Sequence, residues 1–263
     1  MKRTITVVGS DARQRAAACW LQKMGCAVTD AEEVYRADYI LLPMPLEEDK
    51  AGLAQLLRAA KPGTAAFGGR VSEAVRQAGE AAGVPIFDYY RRGELAEWNA
   101  VPTAEGCLAI LLENRPCTLW KSRILVAGYG RIGRALALRL RALGASVTVA
   151  ARRAESRAEA EADGCEAVSI QQLKNAAGEA DAIINTAPAL LFEKGVLESI
   201  LPQTLLIDLA SRPGGIDFAA AEKLGVRAIQ ALSLPARFAP QTAGELVGSV
   251  VLQMIREREE ETL

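Results

Sequence analysis

Residues 128–133, GYGRIG, have the spacing G-x-G-x-x-G, in which backbone N–H groups can bind a pyrophosphate. The hexapeptide follows an apolar run and opens an amphipathic stretch, which is the strand–turn–helix context that this chemistry needs. The first glycine permits the tight turn, the second lets the backbone approach the anion, and the third lets the helix pack on the strand. We call these six residues the nucleotide turn. It predicts cofactor contacts by Gly128, Gly130, Arg131, Ile132 and Gly133.

The end of the following strand predicts which dinucleotide is bound. Many such strands end on an acidic residue, which accepts a hydrogen bond from the adenosine ribose 2′-hydroxyl and repels a 2′-phosphate. This chain has Ala151 there, followed by Arg152 and Arg153, and we call these three residues the arginine turn. Two guanidinium groups can form charge-assisted hydrogen bonds to a phosphate, so we expect NADP. The alternative is that an arginine only covers solvated surface.

Two later strand-like runs, in "DAIINTAP" and "LLIDLASRPGG", end in polar residues and turns. Ligands of open α/β sheets bind outside the carboxyl ends of the strands. We therefore expect further cofactor contacts from Asn185, Thr186, Ala187, Pro188, Asp208, Ala210 and Ser211, with a turn at Gly214 and Gly215 near the nicotinamide.

The chain has no histidine, which removes the commonest general base and every Ser-His or Cys-His nucleophile. Its five cysteines are scattered without a C-x-x-C pair, and we expect no metal site. Catalysis must therefore rest on carboxylates, hydroxyls and the cofactor. The net charge of −1 and the strand-sized apolar runs favour neither nucleic acid nor a membrane as partner, and we expect a cytoplasmic protein.

Strand-like and helix-like segments alternate along the chain, which favours parallel sheets with helices on both faces. About five strands precede residue 100 and about six follow it, so we expect two doubly wound α/β domains. The predicted divisions are a flavodoxin-like N-terminal domain (1–100), a linking helix (101–120), a Rossmann NADP-binding domain (121–240) and a C-terminal helix packing back on the first domain (241–263). The two predicted α/β domains also begin with similar sequences, "ITVVGSDARQ" and "ILVAGYGRIG", and only the second has the full glycine pattern.

The combination of "GSDARQ", "NAVPTAEG", the nucleotide turn, "NTAP", "DLASRPGG" and "LPARFAPQTAG", in this order, resembles the family of the dipicolinate synthase A subunit, its NADP-binding subunit, over nearly the full chain. One departure is Ser10, where the family has a second glycine. The resemblance implies NADP-dependent oxidation of a dihydrodipicolinate to dipicolinate during sporulation, on a branch of the lysine and diaminopimelate pathway. It also implies a flavoprotein-like partner, the dipicolinate synthase B subunit, and we expect a homo-oligomer.

The candidate catalytic residues follow from that chemistry. The cofactor takes the hydride, so the protein has mainly to hold a dicarboxylate and accept a proton. We expect Thr103 and Thr242 to start helices that face one cleft, the latter with a capping box to Glu245. Both threonines could instead only cap, and a first-turn glutamate could only balance the helix dipole. The predicted catalytic set is Thr103, Glu105, Ser211, Arg212 and Thr242.

Two other functions fit the sequence. A two-domain dehydrogenase of 2-hydroxy or amino acids has the same layout, but such reactions usually need a histidine or lysine as proton acceptor. A non-catalytic or regulatory NADP-binding subunit is also compatible, because a complete nucleotide site indicates binding and not turnover.

Overall fold

The computed structural model describes residues 3–44, 46 and 50–261. The chain divides into two compact units, one of Met1–Asn99 with Ala239–Leu263 and one of Ala100–Phe238. Both are layers of helices around an all-parallel sheet, of five strands in the first and six in the second. The predicted fold class is therefore confirmed.

The first unit has the strand order β2-β1-β3-β4-β5, the flavodoxin-like order that was expected. Because its strands are buried on both faces, they are short apolar runs, with Ile5, Ile40 and Phe67 in the interior. Its strands are β1 (Thr4–Val7), β2 (Ala27–Thr29), β3 (Tyr39–Leu41), β4 (Ala65–Gly68) and β5 (Ile86–Asp88), and its first helices are α1 (Ala12–Lys23), α2 (Lys50–Arg58) and α3 (Glu73–Ala81).

Helix α4 (Gly93–Asn114) connects the two units and differs from the prediction. The expected helix start at Thr103 is wrong, because the helix begins ten residues earlier and continues through Pro102. Good helix formers in "ELAE" and the burial of Leu95 and Ala100 favour the helix on the N-terminal side of the proline. Thr103 therefore lies in mid-helix and not at a helix start.

The second unit has the strand order β11-β10-β9-β6-β7-β8, which places β6 at the centre beside β9 and β7. Its strands are β6 (Arg123–Ala127), β7 (Ser146–Ala150), β8 (Glu166–Val168), β9 (Ala182–Asn185), β10 (Leu205–Asp208) and β11 (Ala228–Gln230). Its helices after α4 are α5 (Arg131–Ala142), α6 (Ala154–Ala162), α7 (Leu173–Glu179), α8 (Lys194–Leu197), α9 (Phe218–Lys223) and α10 (Leu234–Phe238).

The last helix, α11 (Pro240–Glu261), packs on α1 within the first unit. Gly244 lets the two helices approach closely, since a Cβ there would overlap the backbone of Arg13. At the far end, Glu259 accepts hydrogen bonds from Arg3 (2.6 Å) and from the hydroxyl of Tyr39 (3.1 Å). The expected capping box at Thr242 is wrong, because the helix begins at Pro240, whose fixed φ suits a first helical position.

None of the described helices is long and apolar enough to cross a membrane.

Candidate functional site

Two glycines of the nucleotide turn are required by the packing of the chain itself. Gly128 follows β6 with a positive φ of 95°, and a Cβ on it would lie 2.6 Å from the Thr186 hydroxyl oxygen. A Cβ on Gly133 would overlap the carbonyl oxygen of Gly128, because α5 starts so close to the end of β6. The Thr186 hydroxyl donates to the carbonyl of Ala127 at 3.0 Å and ties β9 to the turn.

Gly130 differs from these two, because the packing of the described residues leaves room for a side chain at this position. It is the N-cap of α5 with φ −88°, and a Cβ on it would meet none of their atoms within 4 Å. A glycine N-cap brings no side-chain oxygen to the start of α5, so an anionic ligand can approach the positive end of the helix dipole there. This is the arrangement that a pyrophosphate needs, and the residues present fit a dinucleotide.

Tyr129, the second residue of the nucleotide turn, anchors it to its own unit. The side chain is buried, and its hydroxyl donates to the carboxylate of Asp163 at 2.8 Å. Arg134 donates to the same carboxylate at 2.8 Å, and the hydrogen bonds from Arg134 and Tyr129 lower the pKa of the Asp163 carboxyl. Sequence analysis did not find this contact, because Asp163 lies 34 residues away in no recognisable motif.

The arginine turn lies at the carboxyl end of β7, next to β6 in the sheet. Ala151 is buried and leaves no carboxylate at the end of the strand. Arg152 is exposed, and within the described part of the chain its side chain has no hydrogen bond or ion pair. Arg153 is also exposed and donates to the hydroxyl of Ser156 at 3.1 Å.

Asn185 and Asp208 are fully buried at the ends of β9 and β10, and they hold the loops that follow. The Asn185 amide donates to the Asp208 carboxylate at 2.8 Å and to the carbonyl of Ala187 at 3.0 Å. The carboxylate also accepts from the backbone N–H groups of Ala210 (3.0 Å) and Gly215 (2.9 Å). A Cβ on Gly215 would overlap the Asn185 amide, which explains that glycine. These two side chains therefore shape the edge of the sheet.

The structure brings most of the predicted cofactor residues to the carboxyl ends of the strands of one sheet. Strands β10, β9 and β6 are neighbours, so the loops after them lie side by side at the carboxyl ends. Ile132 packs on the core and is partly exposed, as are Thr186 and Ala187, whereas Pro188, Ser211 and Arg212 are exposed. Arg212 has no ion pair among the described residues.

The other catalytic candidates are placed differently. Thr103 is half-buried in mid-α4. Glu105 is exposed on the same helix and lies 3.5 Å from the guanidinium of Arg139. Thr242 is exposed in the first turn of α11, which belongs to the first unit. Of the predicted catalytic set, only Ser211 and Arg212 therefore follow a strand of the sheet at the same carboxyl ends as the nucleotide turn.

Comparison with known proteins supports this assignment of the second unit. Residues 112–218 match the family model described as D-isomer specific 2-hydroxyacid dehydrogenase, NAD binding domain. The matched range contains the nucleotide turn, the arginine turn and the loops after β9 and β10. The second unit is thus a nucleotide-binding domain of the dehydrogenase type, and its cofactor is a nicotinamide dinucleotide.

The chain is also similar to the dipicolinate synthase A subunit, in sequence and in structure. It is 38% identical to the dipicolinate synthase A subunit of Bacillus subtilis (strain 168) over 168 residues, which are 64% of this chain and 57% of that relative. The crystal structure of the dipicolinate synthase A subunit from Bacillus halodurans superposes with a TM-score of 0.87, at 27% identity, over 96% of this chain and 97% of that one. The resemblance to the A subunit of dipicolinate synthase is confirmed.

A second structure agrees with the first. The A chain of dipicolinate synthase from Bacillus subtilis gives a TM-score of 0.85, at 28% identity, over 99% of this chain and 98% of that chain. The sequence match spans little more than half of the Bacillus subtilis relative, whereas the structural matches span nearly all of both chains. The similarity to the A subunit of dipicolinate synthase is therefore the basis for proposing a function.

Proposed function

We propose that this chain is the NADP-dependent dehydrogenase subunit of a dipicolinate synthase, which oxidises dihydrodipicolinate to dipicolinate (pyridine-2,6-dicarboxylate) during sporulation. The observation that carries the proposal is the similarity to the dipicolinate synthase A subunit in sequence and, over nearly the whole chain, in structure. The open N-terminus of α5 supports dinucleotide binding, and the two arginines of the arginine turn support NADP.

The reaction makes few demands on the protein. A bound NADP⁺ would supply the hydride acceptor, and loss of a hydride and a proton would make the dihydropyridine ring aromatic, which supplies driving force. The chain has to orient the ring, hold its two carboxylates and take the proton to solvent. A protein without histidine can do all three.

Arg212 is the residue that we propose to bind a substrate carboxylate. Its guanidinium is exposed at the carboxyl ends of the strands in the sheet that carries the nucleotide turn. A guanidinium can make a planar bidentate contact to a carboxylate. Ser211, beside it, offers a hydroxyl. Thr103 and Thr242 remain proposed substrate contacts, and Glu105, an exposed carboxylate, remains the proposed proton acceptor.

The comparison also suggests the partner. The name of the Bacillus subtilis relative describes one subunit of a larger enzyme, so we propose that a flavoprotein-like chain, the dipicolinate synthase B subunit, is needed for full turnover. We further propose that this chain forms a homo-oligomer. Its affinity for NADP should not depend on the flavoprotein-like partner, because the nucleotide turn and the arginine turn both lie in one unit.

A second candidate function is oxidation of a 2-hydroxy acid, which the family model of the nucleotide-binding domain favours. The absence of histidine counts against it, because such a reaction needs a base to take the hydroxyl proton.

The proposal is tested by assaying the purified chain with NADP⁺ and freshly made dihydrodipicolinate, with and without the flavoprotein-like partner. We expect NADPH absorbance and dipicolinate ultraviolet absorbance to rise together when the partner is present, and to rise little without it. Oxidation of a 2-hydroxy acid instead would establish the second candidate. Cofactor binding without turnover of either substrate, in the presence of the partner, would indicate a regulatory role.

The substrate contact is tested in the same assay. Arg212→Ala should raise KM or lower kcat by about tenfold, as expected for one lost charge-assisted contact, with cofactor affinity unchanged. Arg227→Ala is a matched control, because Arg227 precedes β11 at the amino ends of the strands and, among the described residues, its side chain bonds to Asn114 alone. Normal kinetics for both Arg212→Ala and Thr103→Ala would show that the substrate binds elsewhere.

A further inference from the structure

A third arginine, Arg157, donates hydrogen bonds to the backbone of the arginine turn. Arg157, in α6, donates from Nη1 to the carbonyl of Ala151 at 3.0 Å and to the carbonyl of Arg152 at 2.9 Å. Both N–H bonds of that one nitrogen are therefore directed at the backbone of the arginine turn. The side chain is half-buried, and within the described part of the chain it makes no other hydrogen bond or ion pair.

The same turn is held at its other end by Ser156. Arg153 is the N-cap of α6, its side chain caps no backbone group, and it donates instead to the buried Ser156 hydroxyl at 3.1 Å. Ser156 and Arg157 are consecutive residues near the start of α6, so the start of this helix contacts both the backbone and one guanidinium of the arginine turn.

We propose that Arg157 is a positioning residue that sets the preference of this site for a dinucleotide carrying a 2′-phosphate. The inference rests on the proposed use of NADP. Arg157 fixes the carbonyls of Ala151 and Arg152, so the backbone that carries the Arg152 and Arg153 side chains is ordered before the ligand arrives.

The physical reason is preorganisation. Binding a phosphate with two arginines costs the rotamer entropy of both side chains, and a turn that is not already fixed would add the cost of ordering its backbone. A dinucleotide without the 2′-phosphate does not use these guanidinium groups, so it gains nothing from their positioning. Loss of Arg157 should therefore weaken NADP⁺ binding selectively.

The geometry also distinguishes arginine from lysine at this position. A guanidinium nitrogen has two N–H bonds in a fixed plane, which match two carbonyls of one turn, whereas an ammonium is a point charge on a flexible stem. Arg157→Lys keeps the positive charge near the phosphate and loses the fixed double contact. Arg157→Ala loses both.

The test is calorimetric titration of the purified full chain with NADP⁺ and with NAD⁺, for the natural protein, Arg157→Ala, Arg157→Lys and the control Arg227→Ala. Arg227 is suitable because its side chain also donates to a main-chain carbonyl of the same unit, that of Asn114, at 2.8 Å. It precedes β11 and therefore lies at the amino ends of the strands, opposite the arginine turn. Thermal unfolding of each variant shows whether it is folded.

We expect Arg157→Ala to lower the ratio of NADP⁺ to NAD⁺ affinity by about tenfold, as if one of the two guanidinium contacts to the 2′-phosphate were lost, with NAD⁺ affinity within about twofold of the natural protein. Arg157→Lys should recover less than half of that loss on a logarithmic scale, and Arg227→Ala should change neither affinity. An unchanged ratio, equal losses for both cofactors, or full recovery with lysine would each overturn the inference.

The two proposals fail in different ways. Equal affinities of the natural protein for NADP⁺ and NAD⁺ would remove the proposed cofactor and the inference with it. A natural protein that prefers NADP⁺, together with an Arg157→Ala variant that keeps the same preference, would overturn the role of Arg157 alone.

Discussion

The first strand and the turn after it have similar sequences in the two units, and the two turns differ in one decisive respect. We call residues 9–14 the N-terminal turn; it follows β1 as the nucleotide turn follows β6. Both start with a glycine of positive φ, 100° at Gly9 and 95° at Gly128. In the N-terminal turn, however, the Asp11 carboxylate accepts hydrogen bonds from the N–H groups of Arg13 (2.8 Å) and Gln14 (3.0 Å). The equivalent residue of the nucleotide turn is Gly130, and no described side chain caps its helix.

The difference shows what makes a helix N-terminus available to a ligand. In the first unit the chain supplies its own anion, so the free N–H groups and the helix dipole are already satisfied. Gln14 also fills the place of Gly133 with an amide that donates to the carbonyl of Val8 at 2.8 Å. In the second unit these places are taken by glycines, and we propose that the pyrophosphate of the cofactor supplies the anion.

Gly130→Asp should have the largest effect, because it converts the nucleotide turn to the N-terminal kind. The carboxylate would cap α5 and repel the pyrophosphate, and we expect NADP⁺ affinity to fall by about 100-fold or more. Stability should be unchanged or slightly higher, since aspartate is a favoured N-cap and the position has room for a side chain. Calorimetry and thermal unfolding measure the two effects, and a variant that still binds NADP⁺ normally would contradict the comparison.

Gly133→Ala should act on stability first. Its methyl group would overlap the Gly128 carbonyl, and such overpacking costs about 1–3 kcal/mol. Denaturant unfolding should show this loss. Gly195→Ala is the matched control, because a Cβ there meets no described atom within 4 Å, and it should leave stability within about 0.5 kcal/mol. Equal stability of the two variants would mean that α5 does not need its close approach to β6.

Replacing both Arg152 and Arg153 by alanine should sharpen the comparison at the level of cofactor choice. NADP⁺ should lose at least about tenfold in affinity, since each charge-assisted hydrogen bond contributes on the order of 1.5–3 kcal/mol, while NAD⁺ binding stays the same. Titration with the two cofactors measures the ratio. A double variant that still prefers NADP⁺ would assign the 2′-phosphate to other residues.

Asp11→Ala should have the smallest effect and act only on the first unit. Loss of an N-cap costs about 1 kcal/mol of stability, and NADP⁺ affinity should not change because the nucleotide turn lies in the other unit. Thermal unfolding and calorimetry test the two halves of this prediction. A weakened cofactor affinity would show that the two turns are not independent.

The features that could be predicted from the sequence are those that local residues determine. The nucleotide turn, the alternation of strands and helices, and the five-plus-six division all follow from patterns a few residues long. The helix starts at Thr103 and Thr242 were predicted wrongly, because a threonine at the head of an apolar stretch looks like a cap when the packing of the residues before it is unknown. Local preference alone does not decide such helix ends.

The contacts that hold the site were beyond the sequence for another reason. Asp163 reaches Tyr129 across 34 positions, and Asp208 meets Asn185 across 23, so only the folded chain brings them together. Asn185 and Asp208 were found as residues at strand ends, but their burial and their bonds to loop N–H groups were not predictable from the motif. Arg157 stands only six residues from Ala151, yet nothing in the sequence shows which way its side chain turns.

A crystal structure of the chain with NADP⁺ bound tests the central claim most directly. The account predicts the pyrophosphate about 3 Å from the backbone N–H groups that follow Gly130, as in a charge-assisted hydrogen bond, and the 2′-phosphate in contact with Arg152 and Arg153. It also predicts no phosphate at the N-terminal turn, where Asp11 already occupies the helix N-terminus. A pyrophosphate bound anywhere but at the nucleotide turn would contradict the account.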